Sequence, residues 1–299
     1  MPSVRGTDDK DVPSPDHRTM LPFRNHPAAR TTRLTQEEAE AVQAALSRRI
    51  RLRVGDKVKT SSVRTVLGLI EHSTDHAVAY LKGGTPRDIV GGRDPVDVDV
   101  AYSGTTMQKI KAAWEKHYGA DLKLSAYIQK IGLIGLGEGD NAVEATTICL
   151  AKCKSDSAAN QLLIHAPSSI LIDPFGRGTA DAMQKVWRIP CDNRTEWVKY
   201  VRIAVWRMLK FRMRGYEVPD EDMAYIYSQF VSEHDTTPHA RRMGSRALAN
   251  NPLDVLKFAC SDIDRLSTRG ATTITAHEFL LSLVRQRILT VAPESTHSP

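Results

Sequence analysis

Residues 80–102, YLKGGTPRDIVGGRDPVDVDVAY, constrain what this 299-residue chain can fold into more than any other stretch. Gly83 and Gly84 permit a tight turn with close backbone approach, and Pro86 is preorganised for the start of a helix. The alternation that follows predicts a strand on which Asp97 and Asp99, two residues apart, project from one face and can share divalent cations. A strand, a Gly-Gly turn, a short helix from Pro86 and a second strand would together form a phosphate cradle facing a metal site. Helix amides and Arg87 would then meet a triphosphate.

An isolated Asp-x-Asp pair more often marks surface carboxylates on an edge strand. A later alternating segment, AVEATTICL, changes that reading, because it sets Glu144 and Thr146 on one face. Three carboxylates from two neighbouring strands can hold the two magnesium ions that in-line phosphoryl transfer uses.

Around this centre the chain divides in two. Residues 1–34 are rich in Pro, Ser, Asp and Arg without periodicity and read as a disordered tail. TQEE at Thr35 is a capping box that opens a helix to about Ile50, a second helix covers residues 62–72, and residues 76–81 read as a strand. A helix is expected over residues 105–117. The glycines of residues 137–141 read as a hairpin turn, since no helix pattern follows them as a phosphate loop requires. Helical periodicity then runs from Thr195 onward. The expected class is α+β: a mixed sheet with flanking helices over residues 35–190, an all-helical unit over 191–292, and a frayed end over 293–299.

Composition narrows the setting. No apolar run approaches the roughly 20 residues of a membrane span, and the N-terminus has no secretory pattern, so an intracellular protein of the cytoplasm or mitochondrial matrix is expected. Cys149, Cys153, Cys191 and Cys260 fit neither zinc nor redox spacing and read as reduced thiols. The net charge of +6 favours a polyanionic partner.

Three further segments carry candidate residues. KSDSAANQ, residues 154–161, sets Asp156 and Asn160 four apart, whereas the Asp-Pro-Phe-Gly of residues 173–176 is turn punctuation. The helical pattern VRIAVWRMLKFRMRGY carries Arg202, Arg207, Lys210, Arg212 and Arg214 with Trp206 among them. It reads either as a solvated basic face or as a surface for nucleotide and RNA.

Taken in order, these motifs resemble the family of CCA-adding tRNA nucleotidyltransferases and bacterial poly(A) polymerases. GGTPRDIVGGRDPVDVDVAY matches the family's head signature without a gap, VEATTI resembles its third carboxylate strand, and LIDPFGRGTADAMQKVWRI resembles the turn and helix that follow. VRIAVWRMLKFRMRGYEV resembles its first neck helix. The resemblance spans about residues 62–218, and the chain departs from it at Lys154, Ser155 and Ala158 and at Lys199, where the family has an acid three residues before Arg202. Lysine cannot accept a hydrogen bond from a base edge, so ordered addition of C and then A is not expected.

The resemblance implies an RNA nucleotidyltransferase that adds nucleotides, with ATP favoured, to an RNA 3′ end using two Mg2+ ions. Asp97, Asp99 and Glu144 would be the catalytic metal ligands. Gly83, Gly84, Arg87, Asp88, Asp156, Asn160, Lys199 and Arg202 would bind nucleotide, and Arg207, Lys210, Arg212 and Arg214 would bind RNA. The short C-terminal region leaves little of the family's RNA-anchoring body, so a protein partner is expected to replace it. The alternative is a catalytically weakened protein of this fold that serves as an RNA-binding or assembly component.

Overall fold

A computed structural model describes residues 29–54, 56–119, 123–128, 133–137, 142–147, 155–190, 194–195, 197, 203–233, 237–250 and 252–289. The strands are β1 (Arg30–Arg33), β2 (Arg49–Val54), β3 (Lys57–Ser62), β4 (Val78–Lys82), β5 (Asp99–Ser103), β6 (Ala126–Ile128), β7 (Leu133–Leu136), β8 (Val143–Thr147), β9 (Leu163–His165) and β10 (Ile170–Asp173). The helices of the first unit are α1 (Gln36–Leu46), α2 (Val63–Glu71), α3 (Gly84–Val90), α4 (Met107–Tyr118) and α5 (Gly178–Gln184). Those of the second are α6 (Ala204–Met213), α7 (Asp220–Ser232), α8 (Pro238–Asn250), α9 (Pro252–Thr268) and α10 (Ala276–Arg285).

Among the described residues an eight-stranded mixed sheet runs in the order β1-β10-β9-β4-β5-β8-β7-β6. Its pairs are antiparallel except β5 with β8, which is parallel. Placing β4, β5 and β8 side by side brings the Gly-Gly turn, the aspartates and Glu144 to neighbouring positions. The α+β class expected from the sequence is therefore the observed one.

Local sequence explains the helices that frame the sheet. Thr35 and Glu38 form the reciprocal capping box of α1, and Ser62 accepts from the Thr65 amide to cap α2. Val63, Val66, Leu67 and Ile70 make the buried stripe of α2, which joins Trp114 of α4 and Val100 of β5 in one core. The helical unit has a separate core of Trp187, Trp197, Trp206, Phe211, Tyr227 and Phe279.

Three boundaries differ from the sequence reading. Residues 30–33, assigned to the disordered tail, form β1, an edge strand with every side chain exposed; backbone pairing to β10 holds it, and apolar patterning gives no signal of that. The α1 pattern stops at Leu46, and residues 49–62 form a two-stranded ribbon of β2 and β3. RIRLRV alternates with Ile50 and Leu52 buried and the arginines outward, a period-two signal hidden by its charge. Thirdly, α3 begins at Gly84, which puts Pro86 at its third position, where an intrahelical donor is still not required. No helix among the described residues is long and apolar enough to cross a membrane.

Candidate active site

Gly83 joins β4 to α3 at φ 68° and ψ −124°, a backbone state that a β-carbon opposes. A β-carbon on Gly83 would lie 3.6 Å from Asp99 Oδ2, and one on Gly84 would lie 3.5 Å from Asp97 Oδ1 and 3.3 Å from Arg87 Nη2. The two aspartates thus stand over the bare backbone of the turn. Buried Thr85 fixes this arrangement by donating Oγ1 to the Asp97 carbonyl at 3.0 Å.

Asp97 lies in the bend before β5 and not on the strand, which begins at Asp99. Pro95 has no amide for a ladder, and the Thr85 contact holds the carbonyl of residue 97 outside the sheet. Lys82 pairs in register with Asp99, and Val100 pairs with Ala145, so Lys82, Asp99 and Glu144 form a row on one face across β4, β5 and β8. Lys82 Nζ crosses β5 to donate to Thr146 Oγ1 at 2.5 Å.

Charges in the row act on one another. Burial, reinforced by Asp97 and Glu144 and opposed by Lys82 and Arg207, pushes the Asp99 carboxyl up to about 6. Burial pushes the Lys82 ammonium down, and Asp99 and Glu144 oppose that shift. Among the described residues no three His, Cys, Asp or Glu side chains form a group that holds a metal ion. The sequence-derived trio is therefore not assembled as one ligand set: Asp97 has left the strand, and exposed Glu144 shares its row with a lysine. The donor pair Asp97–Asp99, above glycines that leave the space unfilled, still fits a hard divalent cation that takes oxygen ligands.

Helix α6 faces this row. Arg207 Nε stands 3.5 Å from Asp156 Oδ2 and lowers the Asp99 pKa, while the Lys210 ammonium, pushed down by burial and by Arg214 and Arg207, is supported by Asp97 and Asp156. Arg212 lies on another side of the helix and grips Asp262 of α9 through Nε at 3.2 Å and Nη2 at 2.8 Å. Helical periodicity separates residues that the sequence reading pools: positions 207, 210 and 214 share a face, and 212 does not.

Arg87 and Asp88 are both buried. Arg87 donates from Nε and Nη2 to the two Asp88 oxygens, each at 2.8 Å, and from Nη1 to Asn160 Oδ1 at 2.7 Å. Asn160 in turn donates to Asp156. This chain of bonds runs from α3 to Arg207 and turns Arg87 toward protein partners, where the sequence reading turns it toward phosphate. Asp173 likewise caps α5, accepting from the Thr179 amide at 2.9 Å. Lys199 and Arg202 lie outside the described residues, as do Cys149, Cys153 and Cys191.

Sequence reasoning passes over Lys82, Thr85 and the ribbon arginines Arg49, Arg51 and Arg53. Lys82 carries a signal, a charge at the end of an otherwise apolar strand. Thr85 carries none, because any short residue suits a turn.

No protein-family model and no curated protein matches the chain. Solved structures do. The Thermotoga maritima CCA-adding enzyme complexed with tRNA matches with a TM-score of 0.53 and 19% identity over 67% of this chain and 50% of that one. A CCA-adding enzyme complexed with ATP matches at 0.54 and 18%, again over 67% of this chain and 50% of its own. The Bacillus stearothermophilus enzyme in complex with CTP matches at 0.51 and 18%, over 70% and 53%. The chain spans about half the length of these structures, and over that span it has their fold.

Proposed function

We propose that the chain is a template-independent RNA nucleotidyltransferase that transfers a nucleoside monophosphate, AMP by preference, from a triphosphate to an RNA 3′ end. The observation that carries this reading is the placement of Asp97 and Asp99 over the Gly83–Gly84 backbone, opposite Arg207 and Lys210 of α6. In the transfer, the RNA 3′ oxygen attacks the α-phosphorus, gives up its proton, and the bond to pyrophosphate breaks. Charge builds on the oxygens of that phosphoryl group. Arg207 and Lys210 would meet the β- and γ-phosphates, and the glycine turn would let them approach the backbone. Mg2+ held by Asp97 and Asp99 would supply Lewis-acid stabilisation and lower the pKa of the 3′ hydroxyl.

The expected loss of ordered C-then-A addition rests on Lys199, which offers only donors where the amino groups of both bases need an acceptor, and leaves ATP-preferring or loosely selective tailing. The fold shared with CCA-adding enzymes that bind tRNA, ATP and CTP supports an RNA end and a nucleotide as the substrates. The RNA would leave the cleft along the β2–β3 ribbon, which lies beside the Asp97 loop: Arg48, the residue before β2, donates Nη1 to the Val96 carbonyl at 2.9 Å.

The test is extension of a short labelled RNA with Mg2+ and each triphosphate in turn, beside the Asp97→Ala variant. ATP-dependent lengthening that the variant lacks is expected. No lengthening above the variant's level overturns the activity, and an ordered C-C-A addition overturns the base preference alone.

A further inference from the structure

We propose that Lys82 is a built-in cation of the catalytic row, neutralising the charge of Asp99 and Glu144 so that the site takes one divalent ion, on Asp97 and Asp99, and not two. The inference deepens the nucleotidyltransferase reading and rests on it.

Strand register carries the argument. Lys82 is the last residue of β4 and lies opposite Asp99, the first residue of β5. The parallel pairing of β5 with β8 sets Glu144 on the far side of Asp99, so a lysine and two carboxylates occupy adjacent places on one face. The lysine is not free to swing away from them. Its ammonium is anchored across β5 by the hydrogen bond to Thr146 Oγ1, and Thr146 is on the same face of β8 as Glu144, two residues further on. The stem is pinned at one end by sheet pairing and the head at the other by a hydroxyl, which holds the charge in front of Asp99 and Glu144.

Two consequences follow from Coulomb's law. The ammonium relieves repulsion between the carboxylates without any bound metal. It also repels a divalent ion approaching between Asp99 and Glu144, the position a second ion would need. The Asp97 side of Asp99 is different, because there the bare glycine backbone leaves space beside both carboxylates.

The experiment counts ions. Mn2+ alone is titrated into the full chain while free Mn2+ is followed by electron paramagnetic resonance, for wild type, Lys82→Met, Lys82→Arg and Asp99→Asn, with thermal unfolding confirming that each is folded. Wild type is expected to bind one Mn2+, Asp99→Asn to lose it, and Lys82→Arg to behave as wild type. Lys82→Met, which keeps the stem and removes the charge, is expected to gain a second ion or to bind at least about tenfold tighter. Two Mn2+ in wild type, no Mn2+ in wild type, or a Lys82→Met titration that overlays the wild type would each overturn the proposal. Because no nucleotide or RNA is present, this outcome is separate from that of the extension assay.

Discussion

The guanidinium of Arg87 stands 5.1 Å from the centre of the Phe211 ring, so the buried cation behind the glycine turn packs directly on the helix that closes the cleft. The same group is held edge-on by Asp88 and Asn160, and Arg93 adds a second tie by donating Nη2 to Tyr216 Oη at 2.8 Å. The sheet unit and helical unit are therefore joined by charge-assisted contacts beside the site. Arg87→Ala leaves the Asp88 carboxylate buried without its bidentate partner and should cost about 3 kcal/mol. Urea denaturation measures it; a loss under about 1 kcal/mol would mean that Arg93 alone satisfies Asp88.

Thr85 separates positioning from chemistry. Its hydroxyl is the side-chain contact that fixes the Asp97 carbonyl, yet it lies under the site and not in it. Thr85→Val keeps the volume, removes the donor, and should lower stability by about 1 kcal/mol. If Asp97 drifts as expected, the extension rate falls roughly tenfold at an unchanged KM for the triphosphate, and Thr85→Ser restores it. Equal rates for the valine and serine variants would show that the hydrogen bond does not position Asp97.

Stability depends on pH through His165, which lies next to Tyr80 on the sheet face that also carries Lys82 and Asp99. Burial lowers the pKa of this histidine, whose Nδ1 is 2.6 Å from Ser168 Oγ and whose ring packs 5.8 Å from that of Tyr80. Glu71 Oε1 stands 3.9 Å from Nε2. A histidine with a depressed folded value binds its proton better when unfolded. Stability should then fall as pH drops below about 6.5 and level off above it. Subtracting the melting profile of His165→Gln from that of wild type isolates the contribution, since Glu71 is present in both. A difference that does not change between about pH 5 and 7 would contradict it.

How far the sequence discloses the molecule depends on which force sets each feature. Apolar periodicity and caps place α1, α2 and α4 within a few residues, because burial and orphan amides determine them locally. Sheet pairing is not legible in the same way. Nothing in the local pattern says that Lys82 faces Asp99 or that Glu144 stands beside it, since register is settled by partners far along the chain. Arg87 shows the same limit from the other direction: a motif arginine next to an aspartate reads as a ligand for phosphate, and only the fold turns it onto Asp88, Asn160 and Phe211. The basic residues of α6 are legible as a set, and their division between cleft and α9 needs the third dimension.

On the ribbon, Arg49, Arg51 and Arg53 are exposed and alternate with Ile50 and Leu52, which are buried, so the arginines line one outward face at the two-residue spacing of a strand. The ribbon is held firmly: Ser61 Oγ and Tyr118 Oη are 2.6 Å apart, and Lys59 Nζ donates to the Tyr118 carbonyl at 3.3 Å. A repeat of roughly 7 Å between outward residues is close to the spacing of phosphates along an extended single strand, and such arginines gain affinity by releasing counterions. Arg49→Gln with Arg51→Gln should therefore weaken binding of a short single-stranded RNA. The slope of log affinity against log salt should become shallower by about 0.7 for each phosphate that no longer meets an arginine. ATP-dependent labelling of a saturating RNA should survive in the same variant, because the cations that act on Asp99 are Lys82 and Arg207 and not the ribbon arginines. An unchanged slope would remove the ribbon from the RNA path.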